Sequence, residues 1–299
     1  MPDAPSQIVP STSIWTAYFL DLLVLINMTN PITPPPRFEI RKLGPEHLEW
    51  AKAIIAHSNV FHSPVWSKIY PEDQTARFYA TFDGATHLVQ HQIDSGLSYG
   101  VFDKEYVFKR PESAETGGAV YFQNESDRDS NLSGDEVLDQ MDFPLASIAL
   151  AFDAADPMEM ARVAPLIQAL PDFATFAPRL EARDTREKSS WEATGPFQVL
   201  KRMGTATRSD YMGLGITKTM AHWLMFDASE KGFRGINIEC YHDAVNHIWT
   251  HPPKPFSAER VAVFSVDEYD TQKEGEDGEV VRPYAHVGQA LSKVYVHLK

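Results

Sequence analysis

Basic residues are scarce in this chain. Its 299 residues carry 27 Lys and Arg against 41 Asp and Glu, for a formal net charge of −14. Nucleic-acid binding needs clustered cations that displace counterions, so no nucleic-acid partner is expected. Cysteine is scarcer still. Cys240 stands alone, which excludes an intrachain disulfide framework and makes a reducing, cytoplasmic setting the simplest one. Long apolar runs are also missing. Ile14 to Met28 is interrupted by Asp21 and is shorter than the roughly 20 residues a membrane-spanning helix needs. No Lys or Arg precedes Arg37, so the basic region of a secretory signal is lacking. G-x-x-x-x-G-K-[ST] does not occur, which disfavours a P-loop NTPase. There is no internal repeat.

What is present suits a folded enzyme-sized domain. A 43% hydrophobic composition over this length can bury a real core. Residues 1–35 read as an extension outside the fold, with a second start-like Met28 ahead of Pro31, Pro34, Pro35 and Pro36. A helix packed on the domain and a membrane anchor are the alternatives for Ile14 to Met28, although no stable membrane association is expected. Residues 36–299 read as one α/β domain. Arg37 to Leu43 alternates as a strand, and Gly44-Pro45 opens a helix to about His57. Glu72 to Asp94 is helical in character, and 97–107 with 118–123 suggest a strand pair. Residues 124–195 hold 15 Asp and Glu against 6 Lys and Arg. They read as an acidic insertion: a charged surface excursion or, alternatively, a lid over a substrate site.

The most informative stretch is Thr205 to Thr217, Thr-Ala-Thr-Arg-Ser-Asp-Tyr-Met-Gly-Leu-Gly-Ile-Thr. It sits between an extended segment, Phe197 to Thr207, and a helix over Gly213 to Lys231 that Gly232 stops. Ile216, Met220, Trp223 and Leu224 form that helix's apolar stripe. The first N–H groups of a helix have no partner within it, and its dipole favours anions there. Glycine lets the backbone approach a bulky anion. The stretch is therefore a candidate phosphate cradle. A dinucleotide fingerprint would want a third glycine where Lys218 stands, and further βαβ units that the tail after Cys240 does not supply.

The order of elements and the run Ser209 to Thr217 resemble the GNAT family of acyl-CoA-dependent N-acetyltransferases. Asp210, Tyr211, Gly213, Gly215 and Ile216 match that family's Pro-Glu-Tyr-Arg-Gly-x-Gly-Ile-Gly turn. The resemblance spans roughly Arg37 to Lys299. It implies a mixed α/β fold with a mostly antiparallel sheet and a splayed central strand pair flanked by helices. It also implies acetyl-CoA as co-substrate. Ala206 and Thr207 would offer backbone groups to the pantetheine, while Met212, Gly213, Leu214, Gly215, Ile216 and Thr217 would form the pyrophosphate cradle. Met212 replaces the family's usual Arg or Gln, and Thr217 its small residue. Arg208 and Lys218 flank the turn as potential cations or as ordinary solvated ones.

Acetyl transfer from a thioester to an amine needs a base, an oxyanion stabiliser and an acid for the leaving thiolate. Glu239 and His242 are the candidate bases, and Tyr241 lies beside them. Trp249 falls near the family's usual Tyr acid. Asp243 reads as a helix cap. The expected acceptor is a primary amine on a small molecule; a CoA- or partner-binding module without catalysis is the alternative. The spaced pairs His87/His91 and His247/His251 lack the rest of a zinc motif, so no metal is expected.

Overall fold

The computed structural model of the chain describes residues 30–123, 128, 131–269, 271–272 and 280–299. The reading of Ile14 to Met28 lies outside the described residues. Seven strands form one sheet: β1 (Phe38–Lys42), β2 (Tyr99–Asp103), β3 (Leu145–Asp153), β4 (Val199–Thr207), β5 (Gly235–Cys240), β6 (Ser257–Ser265) and β7 (Ala290–His297). Their order is β1-β2-β3-β4-β5-β7-β6. Every neighbouring pair is antiparallel except β4 and β5, which run parallel. Parallel neighbours need a crossover, and here a long helix supplies it.

Six helices matter for the site: α1 (Leu48–His57), α2 (Gln74–Gly84), α3 (Thr86–Asp94), α4 (Phe173–Glu181), α5 (Ile216–Glu230) and α6 (Asp243–Thr250). One face of the sheet is covered by α1 to α4. Ile54, Ile55, Phe78, Leu88, Phe176 and Leu180 bury there against Ile148, Leu150 and Phe264. The other face carries α5 and α6, where Leu224, Met225 and Trp249 bury against Ile236, Ile238, Val294 and Val296. The alternation of β5 explains the division. Ile238 and Cys240 point to the α5–α6 side, so Asn237 and Glu239 point to the other. In α5, Ile216, Met220 and Leu224 are buried as the stripe predicts, and Trp223 is half-buried.

Two expectations need correction. The segment 124–195 is not a single insertion, because Leu145–Asp153 is a central strand of the sheet. Of its nine residues, Leu-Ala-Ser-Ile-Ala-Leu-Ala-Phe-Asp, all but Asp153 are buried, so the strand is covered on both faces and reads as a mostly apolar run. Averaging charge over the whole segment hid them. The strand pair expected between 97–107 and 118–123 also does not form. β2 pairs with β1 and β3, while Ala119–Val120 pairs with Met141–Asp142 in a separate ribbon.

Candidate active site at the splayed strands

The parallel pairing of β4 with β5 runs only from Val199–Gly235 to Arg202–Ile238. Past that point the strands part. β4 continues to Thr207 along β3, with a register shift between Ala149 and Ala151. β5 continues through Glu239 and Cys240 along β7. A wedge therefore opens between residues 203–207 of one strand and 239–240 of the other. Its mouth faces the start of α5, because the chain leaves β4 through the glycine turn.

In that turn, Ser209–Tyr211 makes a single 3-10 turn. Tyr211 is buried and donates from its hydroxyl to Asp103 Oδ2 at 2.8 Å. Gly213 and Gly215 adopt φ of +80° and +73°, and Gly215 is the N-cap of α5. A Cβ at either position would meet nothing within 4 Å. Backbone handedness, not crowding, is what asks for glycine here. Among the described residues no side chain caps the helix start, so its first N–H groups are left for another acceptor. Thr217 Oγ1 lies 2.7 Å from Thr207 Oγ1, which lies 2.7 Å from Ser147 Oγ. That row of hydroxyls ties the first turn of α5 to the ends of β4 and β3. Ala206 is buried against the α1 side. Met212 and Leu214 are about half exposed, at 49% and 47%.

The flanking cations differ. Lys218 is exposed and joins no ion pair among the described residues. Arg208 is not a solvated cation at all. It is buried, donates from Nη1 to Phe143 O at 2.6 Å, and pairs with Asp210 at 2.8 Å. Its charge is spent on holding the turn from behind. His57, at the end of α1, lies close enough to feel that charge. It is buried and bonded through Nε2 to Gly134 O at 2.8 Å, and burial drives its pKa down to about 4.

On the α1–α4 side of the wedge, Glu239 Oε1 accepts from Lys201 Nζ at 3.2 Å. Both side chains are largely but not wholly covered, at 16% and 23% exposure. Tyr241 follows on the same side. Its ring stacks on Trp66 and Phe173, with centroids 5.7 and 6.3 Å away. Its hydroxyl is buried without a hydrogen-bond partner among the described residues, and burial lifts its pKa well above that of an ordinary phenol. Phe173 opens α4, so part of the supposed excursion walls this side of the site. His242 stands apart from the pair: it is exposed, and its Nδ1 accepts from Ala244 N at 3.0 Å as the N-cap of α6. Asp243, expected as the cap, instead accepts from Gln289 at 2.8 Å.

One residue of the wedge escaped the sequence reading. Arg202, the last β4 residue to pair with β5, is only 2% exposed. It donates from Nη2 to Thr205 Oγ1 at 2.5 Å and lies 5.4 Å from the centroid of the buried Trp249 ring. Its Nε and Nη1 have no partner among the described residues. Burial lowers its pKa to about 9, so it stays charged at neutral pH. Two adjacent cations, Lys201 and Arg202, suggest a solvated stretch of strand. Only the packing of α6 shows that the second one is enclosed.

No protein-family model and no curated protein sequence matches the chain. Solved structures do. The C-terminal condensation domain of Ebony, in complex with beta-alanyl-dopamine, superposes with a TM-score of 0.56 at 18% identity, covering 87% of this chain and 98% of that one. Arylalkylamine N-acetyltransferase 2 from Aedes aegypti gives a TM-score of 0.50 at 8% identity, covering 88% of this chain and 99% of that one. The chain has the GNAT fold. The mixed, mostly antiparallel sheet with its splayed β4–β5 pair and flanking helices is that fold's arrangement. At such identities the likeness carries the fold alone, and the roles of single residues rest on their geometry. Among the described residues no helix is long and apolar enough to cross a membrane, and no group of His, Cys, Asp and Glu could hold a metal.

Proposed function

We propose that this GNAT-fold chain transfers an acetyl group from acetyl-CoA to the primary amine of a small molecule. The observation that carries the reading is the uncapped start of α5, behind two glycines at positive φ, at the mouth of a strand wedge. Backbone N–H groups of 213–217 suit a pyrophosphate, whereas that of Met212 already donates to Ser209 O at 3.2 Å. The wedge edge of β4 at Thr207 suits an extended amide-bearing arm that needs backbone partners, whereas Ala206 turns its own backbone groups to Ile148 of β3. Lys218 adds a nearby positive charge.

The chemistry falls to the other side of the wedge. The amine nitrogen attacks the thioester carbon, forming the C–N bond. The tetrahedral oxyanion then collapses and the C–S bond breaks. Glu239, oriented by Lys201 through one oxygen, keeps its second oxygen to take the proton that the amine sheds. Tyr241, held protonated by burial and lacking a partner for its O–H among the described residues, is suited to protonate the departing thiolate. His242 is less suited to either task, since its Nδ1 already accepts from the helix backbone.

A thermal shift with acetyl-CoA tests the reading. A ligand at a hundredfold over its Kd stabilises by about 2.7 kcal/mol, and an unmoved unfolding curve would remove the cofactor. Thiol release is then followed across a panel of amines, arylalkylamines among them. A shift without release on any amine favours the second reading, a CoA-binding module without turnover. That reading draws on the buried Trp249, an indole where the family resemblance places a Tyr acid.

A further inference from the structure

We propose that Arg202 turns the inner end of the wedge into a carboxylate pocket, so that the thioester accepted here ends in a carboxylate of its own. The inference rests on the coenzyme A reading alone and puts a dicarboxylic acyl group in place of the acetyl group. A guanidinium removed from water is costly unless an anion or a full set of acceptors compensates it. Among the described residues Arg202 has neither. One hydrogen bond to Thr205 and the face of Trp249 are its contacts, while Nε and Nη1 stay unmatched. No carboxylate of the described residues pairs with it. Glu239 lies on the opposite face and is engaged by Lys201. Cys240, on the same face as Arg202, keeps its proton, since burial pushes its thiol up to about 12.

Position makes the unmatched guanidinium informative. Thr205 and Thr207 line the α5–α6 side of β4, between Arg202 and the start of α5. Five residue steps separate Arg202 from Thr207, roughly 16 Å at about 3.3 Å per step. That is the scale of an extended pantetheine arm. An arm anchored by its pyrophosphate at the helix start and laid along β4 brings its acyl end beside Arg202. An acetyl methyl gives that group nothing to donate to. The terminal carboxylate of a malonyl or succinyl thioester does, through charge-assisted hydrogen bonds. The transfer step is unchanged: the C–N bond forms, the C–S bond breaks, the thiol leaves with its proton, and the distal carboxylate stays ionised against Arg202.

Calorimetric titration of the full chain with CoA, acetyl-CoA, malonyl-CoA and succinyl-CoA decides it. At least one dicarboxylic thioester should bind about tenfold or more tightly than acetyl-CoA. In Arg202→Met that preference should fall to within about twofold, with the affinity for CoA itself retained. If wild-type protein binds acetyl-CoA as tightly as both dicarboxylic thioesters, the pocket is wrong while the coenzyme A reading stands. If no CoA species binds, both fall. Should Arg202→Met fail to fold, the wild-type ranking of the four ligands alone upholds or overturns the pocket.

Discussion

The two ends of the wedge treat charge in opposite ways. At the mouth, the obvious cation has been withdrawn: Arg208 is buried against Asp210 and Phe143, and the exposed position beside Gly213 is Met212. What remains for an anion is mostly backbone. At the inner end, ionisable side chains crowd the strands: on one face Arg202, whose Nε and Nη1 have no partner among the described residues, and on the other Glu239 with Lys201 and Tyr241. A site made of peptide N–H groups tolerates side-chain change as long as the φ values hold. A site made of side chains does not. The mouth should therefore govern whether a ligand binds, and the inner end what is bound and whether it reacts.

The largest expected effect separates the two directly. Glu239→Gln keeps the shape and the hydrogen bond to Lys201 but cannot take a proton. Turnover should fall by roughly 10²–10⁴-fold, with the Kd for CoA unchanged by calorimetry. A parallel loss of CoA affinity would mean that the ends are not separable. Unaltered turnover would remove Glu239 as the base.

A smaller effect comes from behind the mouth. His57 titrates near 4 when folded, against about 6.5 unfolded. Between those values the unfolded chain binds more protons, so this group's contribution is intact above pH 6.5 and is lost as pH falls toward 4. The gap corresponds to about 3 kcal/mol. Burial is the main cause; His62 and Arg208 lower the pKa further, and Asp210 acts against them. Denaturant unfolding at pH 7 and pH 4.5 should show the loss in wild type and a shallower decline in His57→Gln. Parallel curves for the two proteins would show that His57 is not the sensitive group.

Much of the mouth was legible in the sequence, because its signals are local. Gly213 and Gly215 before an amphipathic helix, and Gly232 behind it, each state a backbone need that one residue type meets. The helix boundaries and the alternation of Ile236, Ile238 and Cys240 against Glu239 came from period alone. The inner end was legible only in part. Glu239 and Tyr241 fall on one side of the wedge by strand alternation, but no local pattern separates an enclosed Arg202 from a solvated Lys201 one residue earlier. Their difference is made by α6, forty residues on. β3 was missed for a related reason: a short apolar run has no amphipathic period, and the acidic loops around it dominated the average. Arg208 misled in the same way, since the carbonyl of Phe143 that holds it is distant in sequence.

The smallest effect is the most pointed test of the contrast. Met212→Arg restores the charged side chain that the family resemblance expects beside the cradle, at a position already half exposed. If the cradle is mainly backbone, the new guanidinium adds one solvent-screened contact, worth at most about 1 kcal/mol, or roughly fivefold in CoA affinity. That gain should shrink as salt rises, because the Debye length falls to about 3 Å at 1 M. The ranking among acyl groups should not move, since the substitution lies at the other end of the arm. A gain of two orders of magnitude would show that charge, not peptide N–H groups, limits binding at the mouth. The native Met212 would then mark a chain that holds its anion weakly by construction, and the division between a binding end and a reacting end would have to be redrawn.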